Sequence, residues 1–231
     1  HAYAPLFENS SFLLRKDKVY KKDIFRREKY VAEASAEVEQ WIPVPVVKRI
    51  IENYNFKNIL DLGCGSARFL INLCIDSDLT GYGIDISQES IGYGNKLIKE
   101  KALEKRIKLM VGDIFNIKQV NIDYDKIDVI TSMYVFHEFL RDDEDKLIGL
   151  LSTLKEYFPN KYLLICELCR QPMEILRKDP TAILEHHLLH AFSKQGLMTT
   201  DEWRELFSKV GYSSIEEKHF DFAGQSYFLL K

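Results

Sequence analysis

Disulfides are not what holds this chain together. Its 231 residues include only four cysteines, too few for the disulfide framework of a small secreted domain, so reduced, buried thiols in a cytoplasmic protein are expected. Cys166 and Cys169 have CxxC spacing, but they sit in an apolar run that reads as a strand. Positions three apart on a strand face opposite sides, and no second pair completes a zinc site. An excess of positive charge is also missing. The 32 Lys and Arg are balanced by 35 Asp and Glu, for a net charge of −3, and no long basic run stands out, so the electrostatic footprint of a nucleic-acid binder is absent. No apolar stretch approaches the ~20 residues of a spanning helix, and the beginning of the chain lacks a signal-peptide pattern. A soluble protein with neither membrane nor nucleic-acid partners is therefore expected. There is no internal repeat. The first residue, His1, is not Met, which points to a tag remnant or to a domain cut from a longer polypeptide.

With 46% hydrophobic residues, the chain can bury one sizeable core. From residue 58 onward, β-branched apolar runs alternate with amphipathic ones. Residues 58–62, 80–86, 107–111, 127–132 and 162–168 read as strands, and residues 67–74, 88–101 and 143–157 as helices between them. That alternation predicts a mostly parallel sheet covered on both faces. Near the end, Thr200 and an acidic first turn open a helix that Gly211 closes. Two strands then follow, 214–222 and 226–230, joined by the short turn Ala223-Gly224-Gln225. Residues 1–57 are different: 16–40 is charged, helix-prone and free of Gly and Pro, and Pro45 starts a further helix. A helical N-terminal cap over residues 1–57 is the expectation, with Tyr20, Tyr30 and Trp41 available to wall off a ligand or to pack within the cap.

In an open α/β sheet, ligands bind at the carboxyl ends of the strands, where the first strand turns sharply into its helix. The segment Ile59-Leu60-Asp61-Leu62-Gly63-Cys64-Gly65-Ser66-Ala67-Arg68 fits such a turn. Asp61 ends the strand, and Gly63 and Gly65 let backbone pass beside a ligand without a Cβ clash. A dinucleotide fold would need its third glycine where Arg68 stands, which weakens a dehydrogenase reading. The run instead resembles the DxGxGxG motif of class I S-adenosylmethionine-dependent methyltransferases, with Ala67 at the last glycine. Asp85 lies twenty residues after Gly65, at the end of the second strand. A carboxylate there would accept the ribose hydroxyls, with Ile86 against the adenine. Gly112-Asp113-Ile114-Phe115 resembles the family motif after the third strand, whose acidic side chain meets the adenine amino group. The resemblance covers residues 58–231 and implies a cofactor set of Asp61, Gly63, Gly65, Asp85, Ile86, Asp113, Ile114 and Ser132, with S-adenosylmethionine as cofactor.

The fourth strand is read as continuing through Phe136-His137-Glu138-Phe139-Leu140. This stretch resembles the His-Asp-Trp segment of small-molecule O-methyltransferases, in which the histidine faces the acceptor. An imidazole titrating near neutrality can take a hydroxyl or carbon-bound proton. Glu138 stands for the family Asp, and Glu167, ending the fifth strand, is a candidate orienting carboxylate for His137. Glu185-His186-His187-Leu188-Leu189-His190 then places three of the six histidines on one expected helix. The run His190 to Gln195 resembles a segment of metal-dependent α-keto-acid C-methyltransferases and polyketide loading-module methyltransferase domains. That resemblance implies His137, Glu138 and His190 as ligands to one divalent ion, iron, manganese or zinc. The alternative leaves a catalytic His137 and a helix with exposed histidines.

Together these readings predict a doubly wound, seven-stranded, mostly parallel α/β sheet of the Rossmann-like methyltransferase kind. The cap would span 1–57 and the cofactor-binding domain 58–231. The expected activity is methyl transfer to a carbon or oxygen of a small-molecule or acyl-carrier-bound substrate in natural-product or polyketide biosynthesis, next to other domains of a multidomain synthase. A non-catalytic cofactor-binding module within a synthase is the alternative of another class. A nucleic-acid methyltransferase is weaker, because no Asn-Pro-Pro-aromatic motif follows the fourth strand.

Overall fold

A computed structural model describes residues 2–27, 30, 42–140, 144–178, 182–193, 195–220 and 224–231. Seven strands form one sheet: β1 (Asn58–Leu62), β2 (Thr80–Asp85), β3 (Ile107–Val111), β4 (Val129–Met133), β5 (Tyr162–Leu168), β6 (Ser214–Phe220) and β7 (Gln225–Leu230). Their spatial order is β3-β2-β1-β4-β5-β7-β6. The first five strands pair in parallel, and β7 runs antiparallel to both β5 and β6. The order reverses between β1 and β4, so the carboxyl ends of these two strands form the crevice in which such folds bind ligands.

Strand alternation sends neighbouring side chains to opposite faces, and each face has its own apolar cluster. Ile59, Val129 and Leu164 pack with α3 (Pro43–Tyr54), α4 (Arg68–Cys74) and α5 (Gln88–Glu100), through Val47, Ile50, Leu70, Leu73 and Ile98. Leu60, Leu62, Ile130 and Ile165 pack on the other face with α6 (Glu144–Tyr157) and α9 (Thr200–Lys209), through Leu147, Leu151, Trp203 and Phe207. The helix termini have local causes. The Ser87 side chain accepts from the Ser90 N–H to cap α5. Thr199 and Glu202 form a full capping box on α9, one residue earlier than Thr200. Gly211, at φ +87°, ends the same helix.

Three expectations change. The strand read as running through residue 140 ends at Met133, because Tyr134 takes a left-handed conformation, φ +58°. The chain then enters a 3₁₀ turn, Phe136–Phe139. The helix expected over 16–40 is not formed in its first part. The described N-terminus instead holds α1 (Ala4–Glu8) and α2 (Ser10–Arg15), and Lys16 at φ +63° terminates α2. Residues 17–27 then fold back through turns, because Tyr20 and Ile24 are drawn into an apolar cluster with Leu6 and Phe192. Most of the remaining stretch, with Trp41, lies outside the described residues. The helix expected from Pro45 begins at Pro43, and its Val44, Val47, Ile50 and Ile51 belong to the sheet's own core. The short helical elements α7 (Met173–Lys178) and the 3₁₀ turns Ile114–Gln119 and Tyr124–Lys126 were not anticipated. The helix read around the histidines is α8 (Ala182–Phe192). All four cysteines are free and buried, and burial pushes the Cys169 thiol up to about 11, which leaves it an inert apolar residue. Among the described residues, no helix is long and apolar enough to cross a membrane.

Candidate active site

The turn after β1 is built from left-handed residues: Gly63 at φ +72°, Gly65 at φ +52° and Ala67 at φ +59°. Ala67 thus does what the family's last glycine would do, at the modest strain a single small residue incurs there. The two glycines are needed for different reasons. A Cβ on Gly63 would lie 2.6 Å from Val135 Cγ2, whereas one on Gly65 would meet nothing within 4 Å. Gly65 therefore faces open space of the kind a ligand would fill. The turn is pinned by Asp85, whose Oδ2 accepts the Gly65 N–H at 2.8 Å and whose Oδ1 accepts that of Ser87 at 2.8 Å. Beside it Ile86 is 75% exposed, a large apolar side chain left in the open at the strand-end crevice. Asp61 is buried under the turn, where its Oδ1 accepts from Thr131 Oγ1 of β4 at 2.7 Å.

Asp113 caps its 3₁₀ turn, accepting from Phe115 N–H at 3.0 Å and from Asn116 Nδ2 at 3.1 Å. The Ile114 side chain turns into the core instead of the crevice. Ser132 is fully buried in β4, and its hydroxyl has no hydrogen-bond partner among the described residues.

The site's densest chemistry is on the 3₁₀ turn after β4. His137 is 5% exposed and Glu167, inside β5, is wholly buried. The Nδ1–H of His137 donates to Glu167 Oε2 at 2.7 Å, and Glu167 Oε1 accepts the Phe136 N–H at 2.7 Å. This grip fixes the tautomer and leaves Nε2 as the nitrogen that can take a proton. Burial pushes the imidazole pKa down, but the charge and hydrogen bond of Glu167, helped by Glu138, outweigh it, so the net shift is upward from 6.5. The strained φ of Tyr134 stands just before this turn. A bulky side chain there costs on the order of 1–3 kcal/mol, a strain that clusters at functional sites. Phe139 packs edge-on against Phe115, with centroids 4.8 Å apart, and so joins the His137 turn to the turn after β3.

α8 brings His190 to His137, with ring centroids 5.1 Å apart. His190 is buried, while the side chain of His186 lies outside the described residues. The third ligand implied by the resemblance does not fit a metal site. Glu138 Oε1 accepts from Arg26 Nη2 at 3.0 Å and also from Gln195 Nε2. Burial favours the neutral form of Glu138, but Arg26 and His137 outweigh it, so its carboxyl pKa is lowered and the group is committed to an ion pair. Among the described residues, no three His, Cys, Asp or Glu side chains are placed to hold a metal ion. A cavity of about 660 Å³ opens next to this cluster, with Leu140, His190, Gln195, Leu197 and Met198 in its wall. Of the aromatics available for a wall or for packing within the cap, Tyr20 is buried in the N-terminal cluster and Tyr30 is half exposed. Arg26 and Gln195 were not anticipated. Gln195 closes the His190 to Gln195 run, where the resemblance points to the histidine, while a single arginine in a charged stretch carries no sequence signal.

A glycine-turned first strand, an acidic second-strand end and a buried His–Glu pair lie together at the carboxyl ends of a 3-2-1-4-5-7-6 sheet, where such folds bind ligands. The chain belongs to a methyltransferase domain family, whose model matches residues 55–211. It is similar to the methyltransferase ungE' of Aspergillus campestris, 24% identical over 176 residues, covering 71% of this chain and 50% of that one. It is likewise similar to indolepyruvate C-methyltransferase of Streptomyces griseus, 22% identical over 161 residues, covering 69% and 47%. Among solved structures, human N-acetylserotonin methyltransferase in complex with S-adenosylmethionine superposes with a TM-score of 0.66 at 18% identity, covering 86% of this chain and 54% of that one. The chain spans about half the length of the curated relatives it matches.

Proposed function

We propose that this protein binds S-adenosylmethionine and transfers its methyl group to a carbon or oxygen of a small or carrier-tethered metabolite in natural-product assembly. The observation that carries the reading is the sealed His137–Glu167 pair, on the turn whose Val135 packs against Gly63 of the cofactor loop. Asp85 would hold the ribose, with Ile86 beside the adenine and Asp113 at its amino group. The cofactor supplies an electrophilic methyl on a sulfonium. The chain's part is to hold the acceptor in line with it, worth up to about 7–11 kcal/mol, and to take the proton that the acceptor loses onto His137 Nε2, worth roughly 10²- to 10⁴-fold. The described residues N-terminal to 42 would belong to the cap, since α3 packs as part of the sheet's core. The direct test is transfer of labelled methyl from S-adenosylmethionine to an α-keto acid, a malonyl-type thioester and a phenol. Cofactor binding with no transfer to any acceptor class would favour a non-catalytic module.

Two further results are expected. Asp85→Ala removes two charge-assisted hydrogen bonds to the ribose, each worth about 1.5–3 kcal/mol, and also unpins Gly65, so calorimetry should show S-adenosylhomocysteine binding at least ~10-fold weaker. Gly63→Val should do comparable harm, since a branched Cβ meets Val135 in a left-handed backbone. A normal isotherm for either variant would refute the loop assignment. The closeness of His137 and His190 favours one competing mechanism, in which a divalent ion polarises an acceptor carbonyl. With Glu138 committed to Arg26, turnover should survive exhaustive chelation. Turnover lost to chelator and restored by iron, manganese or zinc, with cofactor binding unchanged, would install the metal mechanism instead.

A further inference from the structure

The turn that carries His137 is gripped from two sides. On the sheet side, Glu167 binds both the His137 ring and the Phe136 N–H. On the other side, one oxygen of Glu138 accepts from Arg26, 112 residues earlier in the chain, and from Gln195, 57 residues later. The orientation of the Gln195 amide is itself fixed. Its Oε1 accepts from Ser193 Oγ at 2.6 Å, and that hydroxyl also donates to the Leu189 carbonyl at 2.8 Å. The Gln195 N–H is tied to the His190 carbonyl at 3.0 Å. The Arg26–Glu138 pair is well shielded, with the two side chains 11% and 28% exposed. Around it, Leu6, Tyr20, Ile24 and Phe192 fasten the N-terminal segment onto α8.

We propose that Arg26 is a positioning residue of the active site: by pairing with Glu138 it fastens the N-terminal segment onto the catalytic turn and sets the place of His137 against the acceptor. This rests on the methyltransferase reading above, and it assigns Glu138 to a clasp instead of to proton transfer or metal binding. The chemistry favours a clasp over incidental contact. A carboxylate removed from water needs a partner, and a guanidinium provides a fixed, always-charged one. Loss of Arg26 takes from Glu138 its ion-pair partner and leaves the neutral Gln195 amide as its hydrogen-bond donor among the described residues, and displacement of a catalytic group by about 1 Å costs on the order of 10²-fold.

The experiment compares wild type, Arg26→Ala, Arg26→Lys, Glu138→Gln and the charge swap Arg26→Glu with Glu138→Arg. Three measurements are made: trypsin cleavage at Lys16 to Lys22, S-adenosylhomocysteine affinity, and acceptor kcat/KM. Arg26→Ala should be cut several-fold faster, lose about tenfold or more in kcat/KM, and bind S-adenosylhomocysteine as wild type does. Millimolar methylguanidinium should restore part of the lost rate, Arg26→Lys should retain part of it, and the swap should recover more than either charge reversal alone. Faster cleavage with unchanged kcat/KM would overturn the proposal, because the pair would then hold the segment without positioning the site. If no acceptor is turned over, the methyltransferase reading fails by itself. In that event an Arg26→Ala cleavage pattern equal to wild type overturns the clasp. Should Arg26→Ala not fold, Glu138→Gln, which keeps both hydrogen bonds but loses the charge, is read in its place, with the same outcomes decisive.

Discussion

Replacement of His137 by alanine is expected to lower the methyl-transfer rate by about 10²-fold or more while S-adenosylhomocysteine affinity stays within a fewfold of wild type. The reason lies in where the ring is held. Its Nδ1–H is bound to Glu167, so Nε2 is the one nitrogen that can accept a proton from the acceptor. The ring is tied to the glycine turn indirectly, through Val135 two positions before it, which packs against Gly63. Single-turnover measurement separates the chemical step from release. A near-wild-type rate would take His137 out of the mechanism. Unfolding would mark the ring as structural, and His137→Gln, which keeps a donor toward Glu167, distinguishes a lost base from a lost packing element.

The sheet was legible because both signals that specify it are local. β1, β3 and β5 match the apolar, β-branched runs and β2 ends one residue early, whereas β4 begins two residues late and does not continue past Met133 as read. The glycine-rich turn was legible because positive φ selects glycine so strongly. Ala67 shows the limit of that rule, as an alanine held left-handed in a fully buried position. The pairing of His137 with Glu167 was also within reach, since His137 follows the end of β4 and Glu167 lies near the end of β5, its parallel neighbour.

What was not legible depends on contacts between distant segments. Helix propensity over 16–27 is overridden because Tyr20 and Ile24 gain more by packing with Leu6 and Phe192 than a charged, isolated helix would gain by forming. Glu138 reads as the family's acidic partner to the histidine, yet its actual partner is set by a fold-back that brings in Arg26, and nothing in the residues around either one announces it. The same holds for the end of β4. A run of Met133-Tyr134-Val135-Phe136 has every mark of a continuing strand, yet Tyr134 takes positive φ and the chain leaves the strand for the turn that carries His137 to Glu167.

Glu167 should prove as sensitive as His137, and it makes two separable predictions. Glu167→Ala leaves a fully buried imidazole and the Phe136 N–H without their acceptor, and breaking a buried pair in this way costs about 3–5 kcal/mol, which urea unfolding would measure. Glu167→Gln keeps the shape and one acceptor but removes the charge, so its effect is read in the pH profile. In the wild-type protein the Glu167 carboxylate outweighs burial and holds the His137 pKa above 6.5. The basic form therefore accumulates only above that value, and the rate should rise with pH through a midpoint higher than 6.5. Without the charge, burial acts on the ring almost alone and the midpoint should move down. The stability follows the same sign. A raised folded-state pKa contributes stability that is fully present below the unfolded value and disappears as pH rises through the folded one. The stability gap between wild type and Glu167→Gln should therefore be widest in mild acid and narrow as pH climbs past the wild-type midpoint. A midpoint that stays put, or a gap that widens with pH, would show that His137 does not carry the titrating proton.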